Sequence, residues 1–209
     1  MMLANWITLS RFPLLPIALL LLALGTPGVR LAGAALLLAG LLLDTVDGVV
    51  ARRTGQTSLF GSVIDIAADR AYELVLWLCL AWAGMVPFLI PLIVIVRTTL
   101  TDAFRSIGVV QGTAPFAQHR SALGRFLVGS TWMRTGYAVS KTVTFAGFAL
   151  VQAFLAFPPE SRLAGTVLSA APLFRVAAWV AVAFCLLRGL PVVIHAVKYH
   201  WPARAAVSR

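Results

Sequence analysis

The stretch from Asp44 to Asp69, DTVDGVVARRTGQTSLFGSVIDIAAD, decides how the chain is read. It places four aspartates, two arginines and three glycines inside a chain of 209 residues that is 60% hydrophobic. Charged residues make up only 11% of the sequence, against roughly 25% in soluble domains. The mean hydropathy is +0.93, and apolar runs long enough to enter or cross a bilayer recur on both sides of the stretch. A soluble globular protein is excluded on these grounds. The expectation is one all-α integral membrane domain over residues 1–209, with six transmembrane helices and an N-terminal interfacial helix.

The opening MMLANWITLSRFPLLP lacks a charged region followed by a small-residue cleavage site, so it does not read as a signal peptide. Trp6 suits the membrane interface, and Arg11 is expected to snorkel to the headgroups. The spans are predicted over 12–24, 29–50, 59–83, 88–109, 135–157 and 173–193. Residues 111–134 are polar and basic, as expected of an amphipathic helix lying on anionic lipid. Arg52 and Arg53 lie between spans two and three, Arg105, Arg120, Arg125 and Arg134 between spans four and five, and Lys198, Arg204 and Arg209 in the tail. Only Arg30, Arg162 and Arg175 fall on the opposite side. The positive-inside bias therefore predicts both termini, and the aspartate-rich stretch, on the cytoplasmic side. The net charge of +10 fits anionic headgroups, and no nucleic-acid motif is present. Cys79 and Cys185, each inside an apolar run, read as small buried hydrophobes.

The chain has seven acidic residues, four of them in the opening stretch. Asp44 and Asp47 are spaced i, i+3; Asp65 and Asp69 are spaced i, i+4. Each pair shares a helical face, about 4.5–6 Å apart along the axis. The short connection predicts antiparallel neighbours, so that the pairs meet. A carboxylate within a membrane helix costs roughly 2.5–3.5 kcal/mol on insertion scales, and four together repel one another. Such a cluster needs cations, and an all-carboxylate oxygen set suits Mg²⁺ or Mn²⁺, with Ca²⁺ as competitor. A structural cluster neutralised by Arg52, Arg53 and Arg70 is the other reading of the spacing. Gly48, Ala51 and Gly61 remove side chains beside the carboxylates and open room for a close approach, or for tight helix packing. Arg52 sits at the rim, suited to a phosphate.

Written as a pattern, the stretch is D44-x-x-D47-G48-x-x-A51-R52-x8-G61-x3-D65-x3-D69. It resembles the signature of the CDP-alcohol phosphotransferases at every motif position. The resemblance implies a six-helix membrane enzyme, usually a homodimer, that transfers a phosphatidyl group from CDP-diacylglycerol to an acceptor hydroxyl and releases CMP. It implies Asp44, Asp47 and Asp65 as ligands of one or two Mg²⁺ or Mn²⁺ ions. It makes Asp69 the general base, and a ligand if a second ion binds. Gly48, Ala51, Arg52 and Gly61 become residues of the CDP-lipid site, with Ser58 beside them.

The acceptor is less legible. The start NWITLSR resembles the N-x-x-T-x-x-R opening of phosphatidylglycerophosphate synthases, and Lys141-Thr142 resembles the end of their G-K-x-K-T element. Thr98 and Val139 depart from that branch, which usually has Glu and Lys there. Arg97, Arg105, Arg134, Lys141 and Arg188 form the expected cationic set for a phosphorylated acceptor. Glycerol 3-phosphate ranks first; inositol phosphate, serine and phosphatidylglycerol follow. Two other classes compete. A prenyltransferase is expected to keep its aspartate motifs far apart, and a cation transporter has no need of Gly48, Ala51 and Arg52 in this pattern.

Overall fold

The structure is a computed structural model and describes residues 3–54, 59–110 and 130–200. The side chains of residues 3–5, 7, 44–54, 59–60, 62, 105–110, 195 and 198–200 lie outside that description. Every element among the described residues is helical. They are α1 (Leu3–Leu24), α2 (Pro27–Thr54), α3 (Leu59–Trp82), α4 (Leu89–Val110), α5 (Thr131–Phe154), α6 (Arg162–Ser169) and α7 (Ala171–His200). Six of the seven fall on the six apolar stretches. The segment expected as an interfacial helix leading into the first span is continuous with that span in α1, which runs through Pro13 and Pro16. The addition is α6, an eight-residue turn of helix whose N-cap Ser161 accepts a hydrogen bond from the Ala164 backbone N–H at 3.3 Å. Residues 111–129, where the surface helix is expected, lie outside the described residues.

Among the described residues one stretch, Arg162–Ile194, running through α6 and most of α7, is long and apolar enough to cross a bilayer; Thr8–Leu24 and Pro27–Leu43 are apolar but shorter. Helices α3, α4 and α5 carry charged residues within them, among them Asp65 and Asp69, Arg97 and Asp102, and Lys141.

The chain divides into two compact units, residues 1–88 with 142–177, and residues 89–141 with 178–209. In the first unit α1 packs against α2 and α3. The approach is close because Gly33 faces α1: a Cβ there would lie 2.9 Å from the Ala18 carbonyl oxygen and from Leu21 Cβ. Leu15, Ala18, Leu22, Ala34 and Leu37 form the buried seam. Trp77 meets Phe145 edge-on at 4.9 Å, extending the core to α5.

Helix α3 ends in a Schellman turn. Gly84, at φ 69°, takes the left-handed conformation, and the Met85 and Gly84 N–H groups donate to Leu80 and Ala81 carbonyls, each at 3.0 Å. Arg175 Nε then donates to the Met85 carbonyl at 3.1 Å. Arg30 does the same for two other helix ends: its Nε donates to Gly25 O at 3.0 Å, with longer bonds of 3.4 Å to Gln152 O and Ala23 O. Two of the three arginines expected on the side poor in cations, Arg30 and Arg175, are thus bound to carbonyls at helix ends. Replacing Arg30 with alanine removes a charged donor from those carbonyls, an expected loss of about 1–3 kcal/mol. A thermal melt in detergent checks this; an unchanged Tm contradicts the capping role.

Candidate active site

Helices α2 and α3 carry the two aspartate pairs. Gly40 lies one turn before Asp44 on α2 and faces Tyr72 of α3; a Cβ there would sit 2.5 Å from the tyrosine hydroxyl. Only a glycine lets α2 pass this close, and the contact lies next to both acidic turns. Tyr72 is 3% exposed.

On α3, Asp65 and Asp69 stand one turn apart, and Asp65 Oδ1 is buried with no hydrogen-bond partner among the described residues. A buried carboxylate oxygen left so is costly. Asp69 is 45% exposed, and its Oδ1 accepts from Arg11 NH2 at 3.2 Å. Arg11 is 2% exposed, and its guanidinium carbon lies 5.0 Å from the centre of the Tyr72 ring. The expectation that Arg11 snorkels to the headgroups is therefore corrected: the side chain turns inward, because a carboxylate and an aromatic face of α3 receive it. Arg70, read as a neutraliser of the cluster, pairs along its own helix with the buried Glu73 at 3.7 Å.

Among the described residues no group of three or more metal-type side chains converges. Asp44, Asp47, Gly48, Ala51 and Arg52 lie on α2 with their side chains outside the description, and Ser58 lies outside it altogether. Gly61 falls in the first turn of α3, one turn before Asp65. The donor set fits a hard divalent cation: an orphaned carboxylate oxygen on Asp65, a second carboxylate one turn on, and an oxygen-only chemistry.

The cations expected for an acceptor belong to the second unit, described by itself. Lys141 Nζ lies 5.5 Å from the Tyr137 ring centre, and Arg188 of α7 has its guanidinium carbon 5.9 Å from the same ring. Tyr137 is 8% exposed and so forms a fixed platform for the two charges. It escaped the sequence reading, although it stands one turn before Lys141 on one helical face. Arg97 is buried and packs against Gly189. Arg134 is exposed on the first turn of α5, and the Arg105 side chain lies outside the description. Thr98, at the position where the resemblance expects Glu, is 3% exposed.

A family model for CDP-alcohol phosphatidyltransferases matches residues 1–187. The chain belongs to the CDP-alcohol phosphatidyltransferase family. Over 68 residues it is 31% identical to the CDP-diacylglycerol–glycerol-3-phosphate 3-phosphatidyltransferase of Rickettsia bellii (strain RML369-C), a match covering 32% of this chain and 38% of that relative. Enzymes of the family are membrane-associated and generally depend on divalent metal.

Proposed function

We propose that this protein transfers a phosphatidyl group from CDP-diacylglycerol to glycerol 3-phosphate and releases CMP. The family match supports the donor and the reaction class. The short Rickettsia bellii match and the NWITLSR opening support the acceptor. The single observation that carries the site is the Arg11–Asp69 pair beside the orphaned Asp65 oxygen. It supports the reading of Asp69 as a positioned carboxylate beside an Asp65 oxygen suited to a cation. Multi-pass insertion through six spans, both termini on the cytoplasmic side and a homodimer complete the proposal.

Asp44, Asp47, Asp65 and Asp69 are the residues to hold one or two Mg²⁺ or Mn²⁺ ions, which when bound neutralise the diphosphate of the donor. Gly48, Ala51 and Gly61 leave room for the CDP group, and Arg52 and Ser58 bind it. Asp69 accepts the proton of the acceptor hydroxyl. The hydroxyl oxygen bonds to the phosphatidyl phosphorus, the bond from that phosphorus to the CMP phosphate oxygen breaks, and CMP departs with the electron pair. Arg11 holds the Asp69 carboxylate from one side, which fixes the direction from which it takes the proton. Lys141 and Arg188, steadied on Tyr137, bind the acceptor phosphate, with Arg105 and Arg134 adding positive charge. Arg97, buried on α4 and packed against Gly189, belongs to the same cationic set.

Thermal melts separate this reading from a carboxylate-lined cation transporter. CMP raises the Tm of the detergent-solubilised enzyme when Mg²⁺ or Mn²⁺ is present and not after chelation, whereas a transporter gains nothing from CMP. The acceptor is tested at Lys141. Its replacement by alanine raises the KM for glycerol 3-phosphate about 10–100-fold, the worth of one hydrogen bond to a charged group, and leaves the KM for CDP-diacylglycerol unchanged. An unchanged acceptor KM removes Lys141 from the site.

A further inference from the structure

Tyr72 of α3 has no role in the transfer steps above, yet it stands where three helices of the first unit meet. Arg11 of α1 lies over its ring. Gly40 of α2 faces its hydroxyl: a Cβ there would also come 3.2 Å from Tyr72 Cζ and 2.9 Å from Leu14 Cδ2 of α1. The side chain is 3% exposed, and its hydroxyl is buried with no hydrogen-bond partner among the described residues. The hydroxyl therefore acts by its bulk. It fills the slot that Gly40 leaves open, and the ring cannot slide along α2.

The ring in turn bears on the base. Arg11 reaches Asp69 through NH2 at 3.2 Å. A bond through one guanidinium nitrogen sets a distance and leaves the tilt of the plane undetermined. An aromatic face beneath the guanidinium supplies the tilt. The register is close on both helices. Tyr72 follows Asp69 at i+3 on α3, and Gly40 precedes Asp44 by one turn on α2. We infer that Tyr72 is a positioning residue of the transfer reaction: its ring sets the tilt of Arg11, Arg11 holds Asp69, and the hydroxyl seated against Gly40 ties this set to the helix that carries Asp44 and Asp47. The inference rests on the reading of Asp69 as the general base.

The test is a double-mutant cycle on the whole protein in detergent with Mg²⁺, read by CMP release and by thermal melts. Tyr72→Leu lowers kcat about 10–30-fold and leaves the KM for CDP-diacylglycerol unchanged. Combined with Arg11→Met it is no slower than Arg11→Met alone, because both changes release the same hold. Tyr72→Phe, which keeps the ring, recovers most of the rate. Gly40→Ala drives the ring tip off α2 and lowers kcat in the same way, and adding Tyr72→Phe to it, which removes the hydroxyl, restores most of the loss. That pair decides the matter if Tyr72→Leu does not fold. The melts report the contact without catalysis: the Tm losses of Tyr72→Leu and Arg11→Met add to less than their sum. Three results overturn the inference. One is a pair of kcat losses that multiply in the double variant. Another is a Tyr72→Leu that loses Tm and keeps kcat, which makes Tyr72 a core residue only. The third is a Gly40→Ala loss that Tyr72→Phe does not relieve. A wild-type protein that releases no CMP with any acceptor is a distinct failure: it removes the transfer reading, and this role with it.

Discussion

Replacing Asp69 with asparagine lowers kcat for CMP release by about 10²–10⁴-fold, the usual worth of a positioned general base. The amide keeps the shape of the side chain and an oxygen for Arg11 to donate to, so the fold and the buried guanidinium are preserved. Alanine at the same position behaves differently. It leaves Arg11, 2% exposed, without this carboxylate, and because the pair is buried on one side only the cost lies below the roughly 3–5 kcal/mol of a fully buried pair. Asp69→Asn is therefore expected to be inactive and folded, and Asp69→Ala inactive and markedly less stable. Steady-state kinetics beside a thermal melt separates the two. Near-normal turnover in Asp69→Asn, with metal-dependent CMP binding intact, contradicts the base assignment.

Replacing Arg11 with methionine tests the same contact from its other side. The asymmetry of burial sets the expectation: the carboxylate left behind is 45% exposed, so water can hydrate it, and the stability cost is smaller than for Asp69→Ala. Catalysis suffers more than folding. A carboxylate that loses this bond is held less firmly, and a displacement of about 1 Å costs up to 10²-fold in rate. The expected result is a kcat lower by about 10–100-fold, an unchanged KM for CDP-diacylglycerol, and partial recovery in Arg11→Lys. A KM change with kcat intact would make Arg11 a binding residue instead of a positioning one.

Much of this was legible in the sequence, for a physical reason. Long apolar runs favour helix, so the six long elements fall where the hydropathy runs do, and one described stretch, Arg162–Ile194, is long and apolar enough to cross a bilayer. Carboxylates in such helices are expensive enough that their spacing carries meaning, and Asp65 and Asp69 do stand one turn apart on α3. What escaped were partnerships across long sequence separation. Arg11 looked like a lone interfacial cation because hydropathy is local, and its carboxylate is 58 residues away. Arg30 and Arg175 looked like charges set against the positive-inside bias, because the carbonyls they serve belong to other helices. Tyr137 looked like one more aromatic in an apolar run until Arg188 of another helix arrived over its ring. The eight-residue α6 escaped for the opposite reason: it is too short to leave a period, and only its Ser161 cap announces it.

CMP release from CDP-diacylglycerol tests the central claim most directly. The purified protein is incubated in Mg²⁺ or Mn²⁺ with glycerol 3-phosphate, serine, inositol 1-phosphate or phosphatidylglycerol in parallel, each beside an Asp69→Asn control. The predicted result is release with glycerol 3-phosphate, one CMP per phosphatidyl group transferred, lost in the control and on chelation. Release with another acceptor alone would keep the reaction class and correct the acceptor. No release with any acceptor, together with no metal-dependent stabilisation by CMP, would contradict the account.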